Sequence, residues 1–161
     1  MRDNEYTGIG SRFKGGSTIS WTRYELKKLE KDAIVVVQTG VNNLLNTDQT
    51  MDNIRYQFRE MIRENRDKKL YITSIIPIKN QEDRLWERVE DMNKEIEKLA
   101  YEEKVPFMNI GRNLTEKRGE FADIDDEDVC IHLNENGNQI VIQEIDNKLR
   151  EDGIRFMIKK H

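Results

Sequence analysis

Cysteine is almost missing from this chain: Cys130 is the only one in 161 residues. One thiol closes no internal disulfide, so the expected setting is reducing and intracellular. Long apolar runs are missing as well. None approaches the roughly 20 residues that a membrane-spanning helix needs, and the opening MRDNEYTGIG has no apolar core of a signal peptide. Positive charge is not in excess: Lys and Arg number 27 against 31 Asp and Glu, for a net charge of −4. That balance argues against a nucleic-acid partner, which usually needs a basic stripe, although it leaves room for a local basic patch. There is no repeat, no low-complexity linker and no Walker or dinucleotide pattern; Gly15–Gly16 alone is too short a glycine signal.

What is present is periodicity. The length suits a single domain spanning residues 1–161. AIVVVQ (33–38) is a Val-rich run with charge before it and Gly after it, the mark of a strand buried in a parallel sheet. KLYITSIIP (69–77), ended by Pro77, and VPFMNI (105–110) read the same way. Between them, Met51, Ile54, Phe58, Met61 and Ile62 recur at helical spacing, as do Leu85, Val89, Met92, Ile96 and Leu99. Asn80 is the expected N-cap of the second of these helices, ahead of Gln81–Glu82–Asp83. Val141, Ile145 and Leu149 mark a last helix with Asn134 as its cap, and an earlier helix is expected from Trp21 to Leu29. Trp21, Trp86, Phe58 and Met92 read as packing groups. Alternation of this kind predicts an α/β layer fold with a parallel sheet and right-handed crossovers. Ligands in such sheets sit outside the carboxyl ends of the strands. The acidic stretch 116–130 is a long loop, and long loops are often functional.

Three short stretches carry candidate chemistry. His161 ends the chain, but His132 lies in DVCIHLNENGN between the acidic loop and the last helix. Asp126 and Asp128 are close to it, and a carboxylate can orient an imidazole and stabilise its protonated form. The plainer reading is an exposed or structural loop histidine. Gly40–Val41–Asn42–Asn43 is first of all a strand-to-helix turn, since Gly and Asn tolerate left-handed backbone. The Asn42 amide there is also a fixed N–H donor at a strand end, suited to a developing oxyanion. In GGSTI (15–19), Gly16 offers a backbone N–H that no side chain screens, unless the stretch is only a flexible turn before a helix.

Taken in order, GGSTI, VVVQTGVNN (35–43) and IHLNENGNQI (131–140) resemble the blocks of the SGNH (GDSL-type) hydrolase superfamily. TSIIP (73–77) and Asn93 in VEDMNKEIEKLA are similar to that family's fourth strand and following helix. The resemblance implies a three-layer α/β/α sandwich with a central parallel sheet. It implies hydrolysis of a small ester or acetylated substrate through a Ser–His–Asp arrangement, with no metal and no cofactor. Carried over by residue, Gly16 is the backbone oxyanion donor, Asn42 the side-chain donor beside Gly40, and His132 the general base.

The chain departs from the pattern where the chemistry is most demanding. The family opens on a strand ending in Gly-Asp-Ser, whose serine is the nucleophile, and no Gly-Asp-Ser occurs here. The residues before GGSTI read as the strand leading into the glycine block, so the first strand is expected ahead of Met1 and the domain is expected to be N-terminally incomplete. That strand belongs inside the sheet, and a gap there leaves backbone groups of two neighbours unpaired. Ser11 in GIGSR is the least poor substitute nucleophile; Ser17, just after the glycine donor, is aimed differently. The family's Asp stands three residues before the His, where this chain has Val129; Asp128 is one residue earlier, and such a shift turns a side chain to the other side of an extended segment. Asn43 stands where the family usually has Asp. Two readings follow: an esterase-like domain impaired in catalysis, or a non-catalytic SGNH-like domain that binds protein or RNA, as degenerate members do. The RNA version asks for a basic face from Arg55, Arg59, Arg63, Arg66, Lys68 and Lys69, whose plainer role is a solvated helix face interleaved with Glu60 and Glu64. A generic anion at the Gly40 turn ranks last. Substrate identity and oligomeric state have no sequence signal.

Overall fold

A strand buried on both faces can satisfy its backbone only sideways, so the apolar runs must pair with one another. The computed structural model of the chain describes residues 4–6, 12, 14–46, 48–76, 79–80, 83–114, 129–130 and 132–156. In chain order the elements are β1 (Asn4–Tyr6), α1 (Ile19–Leu26), β2 (Ile34–Val37), α2 (Val41–Leu45), α3 (Met51–Glu64) and β3 (Lys69–Thr73). There follow β4 (Lys79–Asn80), α4 (Asp83–Glu102), β5 (Phe107–Met108), β6 (Val129–Cys130), α5 (Glu135–Glu151) and β7 (Ile154–Phe156). The central sheet runs β2–β3–β5, all parallel, with Ile34 opposite Lys69, Val37 opposite Ile72, and Ile72 opposite Phe107. Among the described residues it is a short sheet of three strands. Two small ladders accompany it among the described residues: β1 pairs parallel with β7, and β4 pairs antiparallel with β6.

Side-chain alternation divides the interior into two layers. Leu70 and Ile72 of β3, with Val35 and Val37 of β2, meet Ile19, Leu26, Leu44, Phe58, Ile62, Met92 and Ile96 on the face covered by α1 to α4. Tyr71 of β3, with Ile34 and Val36 of β2 and Met108 of β5, meets Val141, Ile145 and Leu149 of α5 on the other face, joined by Ile154 of β7. The expected three-layer sandwich is therefore what forms. Each fully buried side chain such as Ile54, Phe58 or Ile72 contributes about 1.5–3 kcal/mol.

Helix ends follow local hydrogen bonding. The Asn134 side chain accepts the Gly137 N–H at 2.9 Å, as its sequence context suggests, and Thr50 does the same for α3 by accepting from Asn53 N–H at 3.1 Å. The backbone of Asn80 sits in the β4 ladder opposite Val129, and α4 is described from Asp83; the Asn80 cap expected from the sequence lies outside the described residues. Helix α1 starts at Ile19 and ends at Leu26, slightly earlier at both ends than its apolar pattern suggests. None of the described helices is long and apolar enough to cross a membrane.

The candidate basic stripe on α3 is spent inside the fold. Arg55 pairs with Asp52 at 2.7 Å and with Glu95 of α4 at 3.1 Å. Arg59, Arg63 and Arg66 converge on Glu103, just beyond the end of α4; Arg63 lies at 2.9 Å, Arg59 at 3.7 Å, and Arg66 bonds both the carboxylate and the Glu103 carbonyl. Lys68 reaches Asp67 and Asn65. The Glu103 carboxylate, only 10% exposed, is held below the usual carboxylate range, chiefly by its hydrogen bond to Arg63 and further by the charges of Arg63, Arg66 and Arg59. A carboxyl depressed in the folded state adds stability above its unfolded value of about 4.3, and that stability fades as pH falls through the folded value. Because the arginines are half exposed and screened, Glu103→Gln is expected to cost about 1 kcal/mol at pH 7. In urea unfolding, the gap between wild type and variant should shrink toward zero as pH drops below the ordinary carboxylate range.

Candidate functional site

The three sheet strands end on the same side, and each end is finished by side chains rather than by further ladder. After β2 the chain turns at Gly40, whose φ of 109° is a left-handed geometry that favours glycine. A Cβ there would lie 3.1 Å from the buried Phe58 ring. Gly40 is thus the start of α2 and a packing surface for α3 at once. The next turn of chain delivers Asn42 and Asn43. Asn42 is half-buried and its Nδ2 donates to the Ser17 carbonyl at 2.8 Å. Asn43 is buried; its Oδ1 accepts the Ile19 N–H at 2.9 Å. A third contact, Thr22 Oγ1 to Thr39 Oγ1 at 2.9 Å, ties α1 to the end of β2. Gly15 and Gly16 form an exposed turn with Gly16 at φ 70°, closed by Ser17 N–H donating to Lys14 O at 3.1 Å. The structure therefore brings the Gly16 turn and Asn42 side by side.

The ends of β3 and β5 are built alike. Ser74, buried, donates its hydroxyl to Ile110 O and accepts from Ile110 N–H, both at 2.9 Å. Asn93 of α4 grips Ile75 twice, accepting its N–H at 2.7 Å and donating to its carbonyl at 2.9 Å. Past β5, Glu144 of α5 accepts from Gly111 N–H at 2.6 Å and from Asn113 Nδ2 at 3.1 Å.

His132 is exposed and lies three residues ahead of α5, next to the Asn134 cap. Asp126, Asp128 and Ser11 lie outside the described residues. The chain has four serines. Ser74 has spent its hydroxyl on Ile110, Ser20 is exposed on α1, and Ser17 holds Asn42 through its carbonyl. Among the described residues no cluster of His, Cys, Asp and Glu has a metal-binding arrangement. A shallow hollow lined by Asp32, Ile34, Lys69 and Ile154 lies at the opposite, amino-terminal ends of β2 and β3. Its charges are of mixed sign, and parallel α/β sheets bind ligands at the other, carboxyl ends of their strands.

The partners that sequence reasoning missed are Asn43, Thr39 with Thr22, and Glu144. Asn43 reads as a mild replacement beside the more conspicuous Asn42. Its signal was its place in a turn that leaves a buried strand, where a polar side chain has to be hydrogen-bonded.

A family model described as GDSL-like lipase/acylhydrolase matches residues 4–140. No curated protein matches the chain. Solved structures with the same fold include a GDSL-like lipase from Bacteroides thetaiotaomicron, at 19% identity over 85% of this chain and 73% of that one, TM-score 0.65. An acetylxylan esterase from Geobacillus stearothermophilus is similar at 14% identity over 87% and 71%, TM-score 0.65. The OSK domain of Drosophila Oskar is similar at 19% identity over 83% and 71%, TM-score 0.68.

If Gly40 is required by backbone and packing together, Gly40→Ala should lower unfolding stability by about 1–3 kcal/mol. Urea denaturation with an unchanged m-value would register this as a lower midpoint.

Proposed function

Because this chain belongs to the GDSL-like lipase/acylhydrolase family, we propose that it is an SGNH-type domain that presents an ester- or acetyl-binding face but hydrolyses esters poorly or not at all by itself. The reading rests on one observation. Asn42 donates to the Ser17 carbonyl beside the Gly16 turn, which supports reading the two as a donor pair, while the buried Ser74 hydroxyl is spent on Ile110. In this reading Gly16 N–H and the second Asn42 N–H receive a carbonyl oxygen, and His132 serves as the base, with Asp128 as its orienting acid. Without an alkoxide donor the first covalent step has no attacking atom, and a donor pair with a base retains only the modest catalysis of polarisation. Ser11 is the substitute nucleophile to be tested.

With p-nitrophenyl acetate, the purified chain should release nitrophenol no faster than its His132→Ala variant, beside an active esterase as control. A wild-type rate about 100-fold or more above that variant would show a working base and nucleophile and overturn the impaired reading. Loss of such a rate in Ser11→Ala would identify the nucleophile.

The second reading, a non-catalytic binding domain, is favoured by the similarity to the OSK domain of Oskar. The α3 arginines do not support its RNA version, since Asp52, Glu95, Glu102 and Glu103 are paired with them. Labelled RNA is therefore expected to pass unretained at low salt. Retention that is lost in Arg59→Glu would establish α3 as a nucleic-acid face.

A further inference from the structure

The glycine turn is closed by the Ser17 N–H bond to the Lys14 carbonyl, and a Cβ built on Gly15 or on Gly16 would find no described atom within 4 Å. Ahead of the turn, Arg12 pairs with Glu25 of α1 at 2.9 Å, a half-exposed and screened contact. The chain that leaves the turn is held inside the fold. That exit is anchored at Ser17, whose carbonyl takes the Asn42 amide, and at Ile19, whose N–H goes to Asn43. The two anchors differ in kind. Asn42 is half-buried, so water competes for its bond. Asn43 is 2% exposed, and Ile19 is fully buried, so their bond forms where a lost partner is not replaced by solvent. Ile19 is also the first residue of α1, whose own N-cap Thr18 makes no side-chain cap bond. Asn43 therefore caps α1 from another element, and does the work that Thr18 leaves undone. The Asn43 amide is fixed in turn from its other side, with Nδ2 facing Gln49 and Gln57 of the α3 region at 3.5 Å each.

We propose that Asn43 is the positioning residue of the candidate site: its buried bond to Ile19 N–H sets where the Gly16 turn lies relative to the Asn42 amide. This rests on reading Gly16 and Asn42 as donors, but its test does not use hydrolysis. The acceptor oxygen is what matters, so Asn43→Asp preserves the function and Asn43→Leu, of similar size, removes it. A carboxylate is moreover at home at a helix N-terminus.

The experiment is amide hydrogen exchange together with the side-chain amide resonance of Asn42. In Asn43→Leu, protection at Ile19 to Arg23 should fall about tenfold or more, a loss on the order of one broken buried hydrogen bond. The Asn42 amide should lose its distinct shift, while the sheet amides of Val37 and Ile72 keep their protection. Asn43→Asp should restore both signals. The proposal is overturned if Asn43→Leu leaves the Asn42 resonance and the α1 protection as in wild type. Should Asn43→Leu unfold throughout, Asn43→Ala decides: a lost Asn42 resonance with the sheet amides still protected upholds the proposal, and a wild-type one overturns it. Failure of the esterase reading would leave these signals unchanged, so the two are separable.

Discussion

The carboxyl ends of a parallel sheet leave backbone groups that no further ladder can satisfy, and in this chain a set of buried and partly buried side-chain hydrogen bonds takes them over. Asn43 serves the first turn of α1, Asn93 serves both backbone groups of Ile75, Ser74 serves both of Ile110, and Glu144 serves Gly111. Each joins a strand end to a different helix or strand. An unpaired buried donor costs about 1–3 kcal/mol, so these bonds are selected by the same rule that builds the sheet. Their consequence is geometric. The face on which a ligand would sit is held by rigid elements rather than by free loops, the arrangement that precise donor placement requires.

The charges of the chain obey a related logic. More than a third of its residues are charged, at 36%, yet the most basic helix is not a basic surface. Arg55, Arg59 and Arg63 repeat along one side of α3, with Arg66 just past its end, and the carboxylates of Glu95, Glu102 and Glu103 meet them from α4 and its end. The stripe thus joins two helices of one layer. On the other face of the sheet, Tyr71 Oη donates to Asp152 at 2.6 Å where α5 turns into β7. There, apolar packing of Val141, Leu149 and Ile154 carries most of the contact.

Legibility in the sequence followed the range of the deciding interaction. β2, β3 and β5 were readable because burial on both faces writes an apolar run, and α3 to α5 because one buried face writes a helical period. The Asn134 cap was readable because its acceptor and donor lie three residues apart. The β1–β7 and β4–β6 ladders were not, since two- and three-residue pairings are decided by which distant segments meet. The backbone of Asn80, read in the sequence as part of a helix start, takes part in such a pairing. The neutralisation of the α3 arginines was hidden for the same reason: Arg55 and Glu95 are 40 residues apart. Within the site, Gly16 and Asn42 were legible as motif residues, and the bond through Ser17 puts them together. What Asn43 does was not legible, because a buried amide and an exposed one look alike beside each other in a sequence.

The candidate site separates two requirements that a hydrolase normally satisfies together. The donors proposed for an oxyanion belong to a turn and amides that the fold needs in any case: Asn43 caps α1, Gly40 makes room for Phe58, and Asn42 ties Ser17 to α2. A nucleophile is different. Its hydroxyl must be left unspent, close to a base, and Ser74 illustrates why stability works against that, since both of its hydrogen-bonding capacities went to Ile110. Stability therefore retains the donor frame whether or not turnover is retained, because removing it would expose buried polar groups. Stability has no such interest in an unspent serine hydroxyl. An intact donor frame is for that reason a strong sign of the fold and a weak sign of activity, and any test of function in this chain has to interrogate the hydroxyl and the imidazole rather than the amides.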